Sequence, residues 1–415
     1  MLINKLLAFY HRYDRLIWLR VLGTVLSTVG GFMIRPFLAL YLYDRLGENL
    51  VIAALIVGLQ PLTGLVAGIY AGGVADRYGR KPIMVAGLML EAVAIFGYAF
   101  VDSLPAFAAL TVIGGIGGAL FFPAANAQIT DVVPENIRHE VFALMHAALN
   151  VGAACGPLVG VIIYRINPGI AFITCSVLFL LYSLLILFKI PETLPKEQRV
   201  RFGMSKADRP PAPARFRLRD HRLLLGMTLA MLPFTLLYSQ VETILPQHLK
   251  ANFDDYLTTF ATLMTINGIL VVTTQLLIAR YADRFPVRRV VLLAYLLLTG
   301  TAIGYGWSTT FVWLLFAEIL FTLGEMLNGP QINKVVSIMA PADQRGRYFA
   351  IFNSAWPLTG TFAPVIGAFA FGSIGGAYWF TIVAGLLFVA GFAQHRLIAR
   401  ALKPSNQPLD SSIPA

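Results

Sequence analysis

Gly72-Gly73-Val74-Ala75-Asp76-Arg77-Tyr78-Gly79-Arg80-Lys81-Pro82 is a short basic stretch set between two long apolar runs, 50–75 and 82–101. A displacement of 207 residues reaches Ala279-Arg280-Tyr281-Ala282-Asp283-Arg284-Phe285-Pro286, again between two apolar runs, 256–280 and 288–307. The same displacement lays Pro123 on Pro330, Asn126 on Asn333, Pro134 on Pro341, Arg138 on Arg345, Pro157 on Pro364 and Gly160 on Gly367. Matches in series at one constant offset mark an internal duplication. A repeat this long also excludes the short period of solenoids and propellers.

Composition says what is duplicated. Of 415 residues, 57% are hydrophobic and only 13% are charged, against roughly 25% charged in soluble domains. A water-facing surface cannot be covered with so few charges. A spanning helix needs about 20 mostly apolar residues, because lipid offers the backbone no hydrogen-bond partner. That length predicts twelve spans: 17–44, 50–75, 82–101, 105–130, 141–165, 168–189, 222–248, 256–280, 288–307, 310–337, 346–371 and 376–398. They divide the chain into a first six-helix bundle (1–189), a basic linker (190–221), a second bundle (222–398) and a tail (399–415). The expected fold is an all-α integral membrane protein of twelve transmembrane helices in two pseudo-symmetric six-helix bundles. Six spans separate the copies, so the repeats run parallel.

The net charge of +11 is unevenly placed. Arg77, Arg80, Lys81, Arg138, Arg280, Arg284, Arg288, Arg289, Arg345, Arg347, the linker and both tails fall on one side. The other side holds Arg45, Arg165 and Lys250. This asymmetry predicts that both termini are cytoplasmic. It also makes the basic excess a topology signal and an attraction to anionic lipid, not a nucleic-acid face. No phosphate-binding G-x-x-x-x-G-K-[ST] loop and no zinc spacing is present, so neither an ATP-driven pump, an enzyme, a metal site nor a bound cofactor is expected. Cys155 and Cys175 lie in apolar runs and build no disulfide framework.

The 72–82 stretch resembles the loop signature G-x-x-x-D-R-x-G-R-K of the major facilitator superfamily, whose two halves are parallel repeats. Its glycines allow close helix approach, and Asp76 can cap the next helix and pair with arginines. The resemblance gives Gly72, Asp76, Arg77, Gly79, Arg80 and Lys81 a gating role, latched with Asp131 and Arg138 across the next loop on the same side. The second copy keeps Asp283-Arg284 but loses the glycines, so a weaker role is expected there. Gly152, Gly156, Pro157 and Gly160 in the fifth span resemble the core of the antiporter motif G-x-x-x-G-P-x-x-G-G of drug/proton antiporters, with Val161 in place of the last glycine. Small residues and a proline give a smooth, kinked packing surface. The motif favours export over import.

Charged groups inside spans each cost roughly 2.5–3.5 kcal/mol on insertion scales. Arg35, Glu91, Glu242, Glu318 and Glu325 are such groups. Glu325 falls opposite Gly118, and Arg35 opposite Glu242, at the repeat offset. Residues Glu242–Leu249 and Phe321–Glu325 resemble segments of lactococcal-type multidrug/proton antiporters, which carry acids at both places. That resemblance implies Glu242 and Glu325 as proton carriers in a central cavity also drawing on Arg35, Glu318, His146 and Asn150. Glu91 is open between a cavity role and holding a neighbouring helix, and Glu318 is expected near a solvated interface. Arg35 either neutralises Glu242 or binds an anionic group. His146 and Asn150, one turn apart, are read first as helix-helix hydrogen bonders. Tyr41, Tyr238, Trp307, Trp313 and Phe321 are read as interfacial anchors.

The expected function is proton-coupled efflux of amphipathic or lipophilic drugs, cationic ahead of neutral, by a monomer in the bacterial cytoplasmic membrane, driven by the proton gradient. Its partners are small amphipathic molecules, protons and membrane lipids. A lipid or glycolipid flippase of the same fold is the alternative, then a metabolite importer, and then a transporter-like sensor without flux.

Overall fold

Residues 12–194, 221–341 and 345–402 are described in a computed structural model. They are helical, with no strand among the described residues. The spans are α1 (Arg15–Arg45), α2 (Leu50–Tyr78), α3 (Arg80–Tyr98), α4 (Leu104–Val132), α5 (Glu135–Ile166) and α6 (Pro168–Lys189). The second half has α7 (Arg222–Thr243, continued as Leu245–Asn252), α8 (Tyr256–Ala282), α9 (Val287–Trp307), α10 (Phe311–Met339), α11 (Arg345–Asn353 and Ala355–Ile374) and α12 (Gly376–Ala401). All twelve are long and apolar enough to cross a membrane. The linker's residues 195–220, the tail beyond 402 and the side chains of Gly72 and Asp76 lie outside the described residues.

Two predicted spans, 222–248 and 346–371, prove to be broken, and a proline follows each break. A proline ring clashes with the carbonyl four residues earlier and supplies no N–H. Pro246 reaches back to Glu242, and that helix ends at Thr243; Pro357 reaches back to Asn353, where the other helix ends. Between α2 and α3 the chain turns at Gly79, whose φ of +109° suits glycine. The second copy makes the corresponding turn with Pro286, which caps α9.

The repeat seen in the sequence is a repeat of contacts. Gly160 of α5 lies against the Met33 backbone of α1; 207 residues on, Gly367 of α11 lies against Gln240 of α7. A Cβ on Gly117 would stand 2.7 Å from the Gly87 carbonyl oxygen, and one on Gly324 would stand 3.2 Å from the Ala294 carbonyl oxygen. The antiporter-motif glycines act as packing: Gly152 meets Thr28, and a Cβ on Gly156 would be 2.9 Å from the Val29 carbonyl oxygen. Without a hydrophobic force between helices in lipid, such close approach is what holds them.

The halves meet through two helix pairs. A Cβ on Gly268 of α8 would lie 2.6 Å from Ala154 Cα of α5, and Gly58 of α2 abuts the Thr361 carbonyl of α11. Both contacts lie in the portion of the bundle away from the termini. Closer to that opposite face, Phe37 packs edge-on to Phe260 at 6.4 Å, Arg165 donates to Asp255 and Thr258, and Lys250 donates to Asp44 at 2.9 Å. Toward the terminal face no ion pair joins the halves among the described residues. The protein is therefore closed on the face opposite the termini.

Arg165 holds the Asp255 carboxyl below its ordinary value chiefly by hydrogen bonding. A depressed carboxylate pKa means the contact persists at neutral pH and is lost only as pH falls through that lowered value. A response to milder acid must come from other groups. Neutralising the contact by Asp255→Asn should shift the closed-to-open ratio at this face by at most about fivefold, since exposed pairs contribute about 0–1 kcal/mol. Gly268→Val should do more, because the obstructing atoms are backbone. Spin labels at Ile166 and Asn252, with both native cysteines replaced, should report a distance several ångströms longer in Gly268→Val and a smaller change in Asp255→Asn.

Candidate functional site

Charged groups drawn from both halves meet between the two bundles. Arg35 of α1 and Glu242 of α7 form an ion pair at 3.6 Å, with side chains 60% and 39% exposed. They occupy equivalent positions in the two repeats, so the pseudo-twofold axis passes between them. Pro246 ends the regular helix just after Glu242 and leaves that carboxylate beside a break. Four residues earlier on α7, Tyr238 donates its hydroxyl to Glu325 of α10. Asn267 of α8 donates to Glu325 at 3.2 Å and to the Thr322 hydroxyl at 3.1 Å. The two acids expected to carry protons therefore lie on either side of one tyrosine.

That tyrosine sits in an aromatic group. Its ring centroid is 4.9 Å from Phe321, 5.1 Å from Phe234 and 5.2 Å from Trp356. Tyr238 and Phe321, expected as interfacial anchors, belong instead to the site. Tyr41 also departs from that expectation: it is buried and donates to the Tyr98 carbonyl at 2.9 Å. Trp307 and Trp313, near the span ends, stay exposed. Phe234 and Trp356 were missed, and nothing in their local sequence separates them from lipid-facing aromatics. Aromatic faces beside carboxylates can receive a lipophilic cation.

Glu318 is a correction. It is fully buried, accepts from the Tyr305 hydroxyl at 2.6 Å, and is neither solvated nor exposed to the cavity. A span-end estimate from sequence places it near an interface, but α9 packs over it. Glu91 sits in a notch of α4, where a Cβ on Gly118 would stand 2.9 Å from its Oε1. It faces a helix neighbour and lies within electrostatic reach of Arg35. His146 and Asn150 bond each other along α5 at 3.2 Å and continue the face that meets α8 at Ala154.

On the terminal face, Arg80 pairs with Asp131 at 3.3 Å, and Asp131 also accepts from Thr193. Arg138 donates to the Thr130 and Val133 carbonyls at the end of α4, while Arg77 lies over the Tyr78 ring. Glu192, which sequence reasoning did not single out, accepts from the backbone N–H groups of Arg80 and Lys81 at 3.0 and 3.2 Å. It thereby caps the N-terminus of α3, where negative charge is favoured. In the second copy, Asp283 accepts from Gln331 and Lys334, whose hydrogen bonds hold its carboxyl below the ordinary value. These described contacts each stay within one half.

Similarity to known proteins agrees with this architecture. The MFS-type transporter YhjO of Bacillus subtilis (strain 168) is 31% identical over 382 residues, covering 92% of this chain and 93% of its own. A Na(+), Li(+), K(+)/H(+) antiporter of Planococcus maritimus is 26% identical, covering 92% and 95%. Multidrug resistance protein MdtH of Shigella dysenteriae serotype 1 (strain Sd197) is 24% identical, covering 85% of each chain. Among solved structures, a D-xylose-proton symporter superposes with TM-score 0.74 at 16% identity, covering 91% of this chain and 96% of its own. The human organic anion transporter MFSD10 (TETRAN) gives 0.67 at 21% identity, covering 92% and 99%. These two share the fold. The Major Facilitator Superfamily model matches residues 21–260 and 227–414. With that match spanning both halves, this multi-pass membrane protein belongs to the Major Facilitator Superfamily, a family of transporters and not of enzymes.

Proposed function

We propose that the protein exports lipophilic cations from a bacterial cell in exchange for protons, by alternating access across the plasma membrane. The observation that carries this reading is the placement of Glu242 and Glu325 on either side of Tyr238, beside the aromatic group Phe234, Phe321 and Trp356. The basic terminal face supports cytoplasmic termini, so the closed face is the outer one and substrate enters from the terminal side.

A cation entering from the cytoplasm meets aromatic faces and two carboxylates. Arg35 already occupies Glu242, and an incoming cation competes with it. Closure behind the substrate and parting of the opposite face expose the site outward, where protons taken up by Glu242 and Glu325 weaken their hold on the cation. Return to the cytoplasmic-facing state releases those protons. An inward proton gains about 2.3 kcal/mol per 100 mV. The Arg80–Asp131 and Glu192 contacts brace the α2–α3 turn in the cytoplasmic-facing state, and the gating motif re-engages as that face closes.

The relatives support proton coupling in general terms, and one of them carries the name of a multidrug resistance protein. The exposed Arg35 guanidinium favours a second reading, an anionic lipid headgroup held in the same cavity.

Purified protein in liposomes with an imposed pH gradient tests the proposal. Ethidium should move with the gradient, and Glu325→Gln should slow that movement at least tenfold. Arg35→Gln should bind ethidium several-fold more tightly in a fluorescence titration, because Glu242 loses its resident cation. Gradient-driven sodium or lipid movement without ethidium movement would replace the drug reading.

A further inference from the structure

We infer that Glu318 is a third proton-binding site, loaded from the face opposite the termini and emptying toward Glu325; this rests on the proton-coupled reading above.

The repeat isolates what is unusual about it. In the first half, Tyr98 of α3 and Thr111 of α4 share a hydroxyl-hydroxyl hydrogen bond at 2.6 Å. At the 207-residue offset, Tyr305 of α9 donates to Glu318 of α10, also at 2.6 Å. The helix pair is the same and the tyrosine is the same. Packing at this position is met by one small hydroxyl, as Thr111 demonstrates, so the fold itself asks for no acid. The second half carries one regardless.

The surroundings of that acid suit a bound proton. Glu318 has no exposed surface, and its Oε1 has no hydrogen-bond partner. A membrane-buried acid costs roughly 2.5–3.5 kcal/mol on insertion scales, and no cation pairs with this one among the described residues. The titratable groups acting on it are Tyr305 from α9, Glu325 on its own helix and Tyr238 from α7. Beyond Tyr305, His248 in the continuation of α7 lies against the backbone of Tyr305 and Gly306. An oxygen sealed from water, without donor or cation, has room for the O–H of a protonated carboxyl.

Position gives the direction of transfer. Glu318 lies seven residues, about 10 Å along the helix, nearer the opposite face than Glu325. Phe321 separates the two acids, its ring 4.9 Å from Tyr238 and 6.3 Å from Tyr305. Each carboxyl thus has its own tyrosine, with one aromatic layer between them. When the opposite face parts, a proton from outside water adds to Glu318 Oε1. Outside water entering between the helices as that face parts carries it on to the Glu325 carboxylate, one O–H bond breaking at each hop as the next forms, and recharges Glu318.

The test compares the native chain with Glu318→Gln and Glu318→Thr, the second recreating the Tyr98–Thr111 arrangement. Liposomes report ethidium exchange at equal pH and ethidium movement driven by a pH gradient. Exchange within twofold of native, with driven movement reduced at least tenfold and no longer responsive to outside pH, is the expected result. Driven movement retained in both variants overturns the inference while leaving the proposed function standing. Loss of exchange together with driven movement in both variants makes Glu318 a structural residue and also overturns it. A native chain that exchanges ethidium but ignores the gradient removes proton coupling itself, and this site with it.

Discussion

Close contact between helix backbones is the constraint from which the rest of this structure follows. Lipid provides no hydrophobic force to press two helices together, so they associate where small side chains let backbones touch. Gly152, Gly156 and Gly160 fix α5 on α1 within one half, and Gly367 repeats the contact between α11 and α7 in the other. Gly58, Gly268 and Gly360 make contacts that cross between halves. The within-half contacts build rigid six-helix units. The crossing contacts are confined mainly to two helix pairs, and the ion pairs near them are exposed, so each unit can tilt on the other while keeping its own packing.

A rigid unit can hold charge in a fixed place. Arg35 and Glu242 meet across the interface, while Glu325 is held by Tyr238 and Asn267 inside the second unit. Tilting can change the exposure of the first pair without disturbing the second. The break after Thr243 places Glu242 where the helix is least regular, and the aromatic cluster below it is built from three helices of one unit. Flexible surroundings for one carboxylate and a fixed setting for the other follow from where Pro246 falls.

Much of this was legible before any coordinates. The spans follow from the length lipid demands, and the parallel repeat follows from one offset. Arg35 opposite Glu242 was readable for the same reason, since residues related by the repeat sit on equivalent helix faces. The break at Ser354 was also within reach, three residues before Pro357, yet hydropathy alone runs straight through it. Glu318 was misplaced because distance along a span says nothing about which helix covers it; the signal that locates it, Tyr98 with Thr111 against Tyr305 with Glu318, is a relation between two pairs. Glu192 and Trp356 left no such trace, because their partners come from elsewhere in the chain and no periodicity marks them.

The Arg35–Glu242 pair also bears on how such a chain came to be. Two identical six-helix units assembled about a twofold axis place the same residue on both sides of it. An arginine would then have faced an arginine, or a glutamate a glutamate, in the middle of the membrane. Opposite charges at that spot require that the two copies already be free to differ. The attraction at the heart of this interface is therefore younger than the interface, and could be acquired only after the two copies had become free to vary separately.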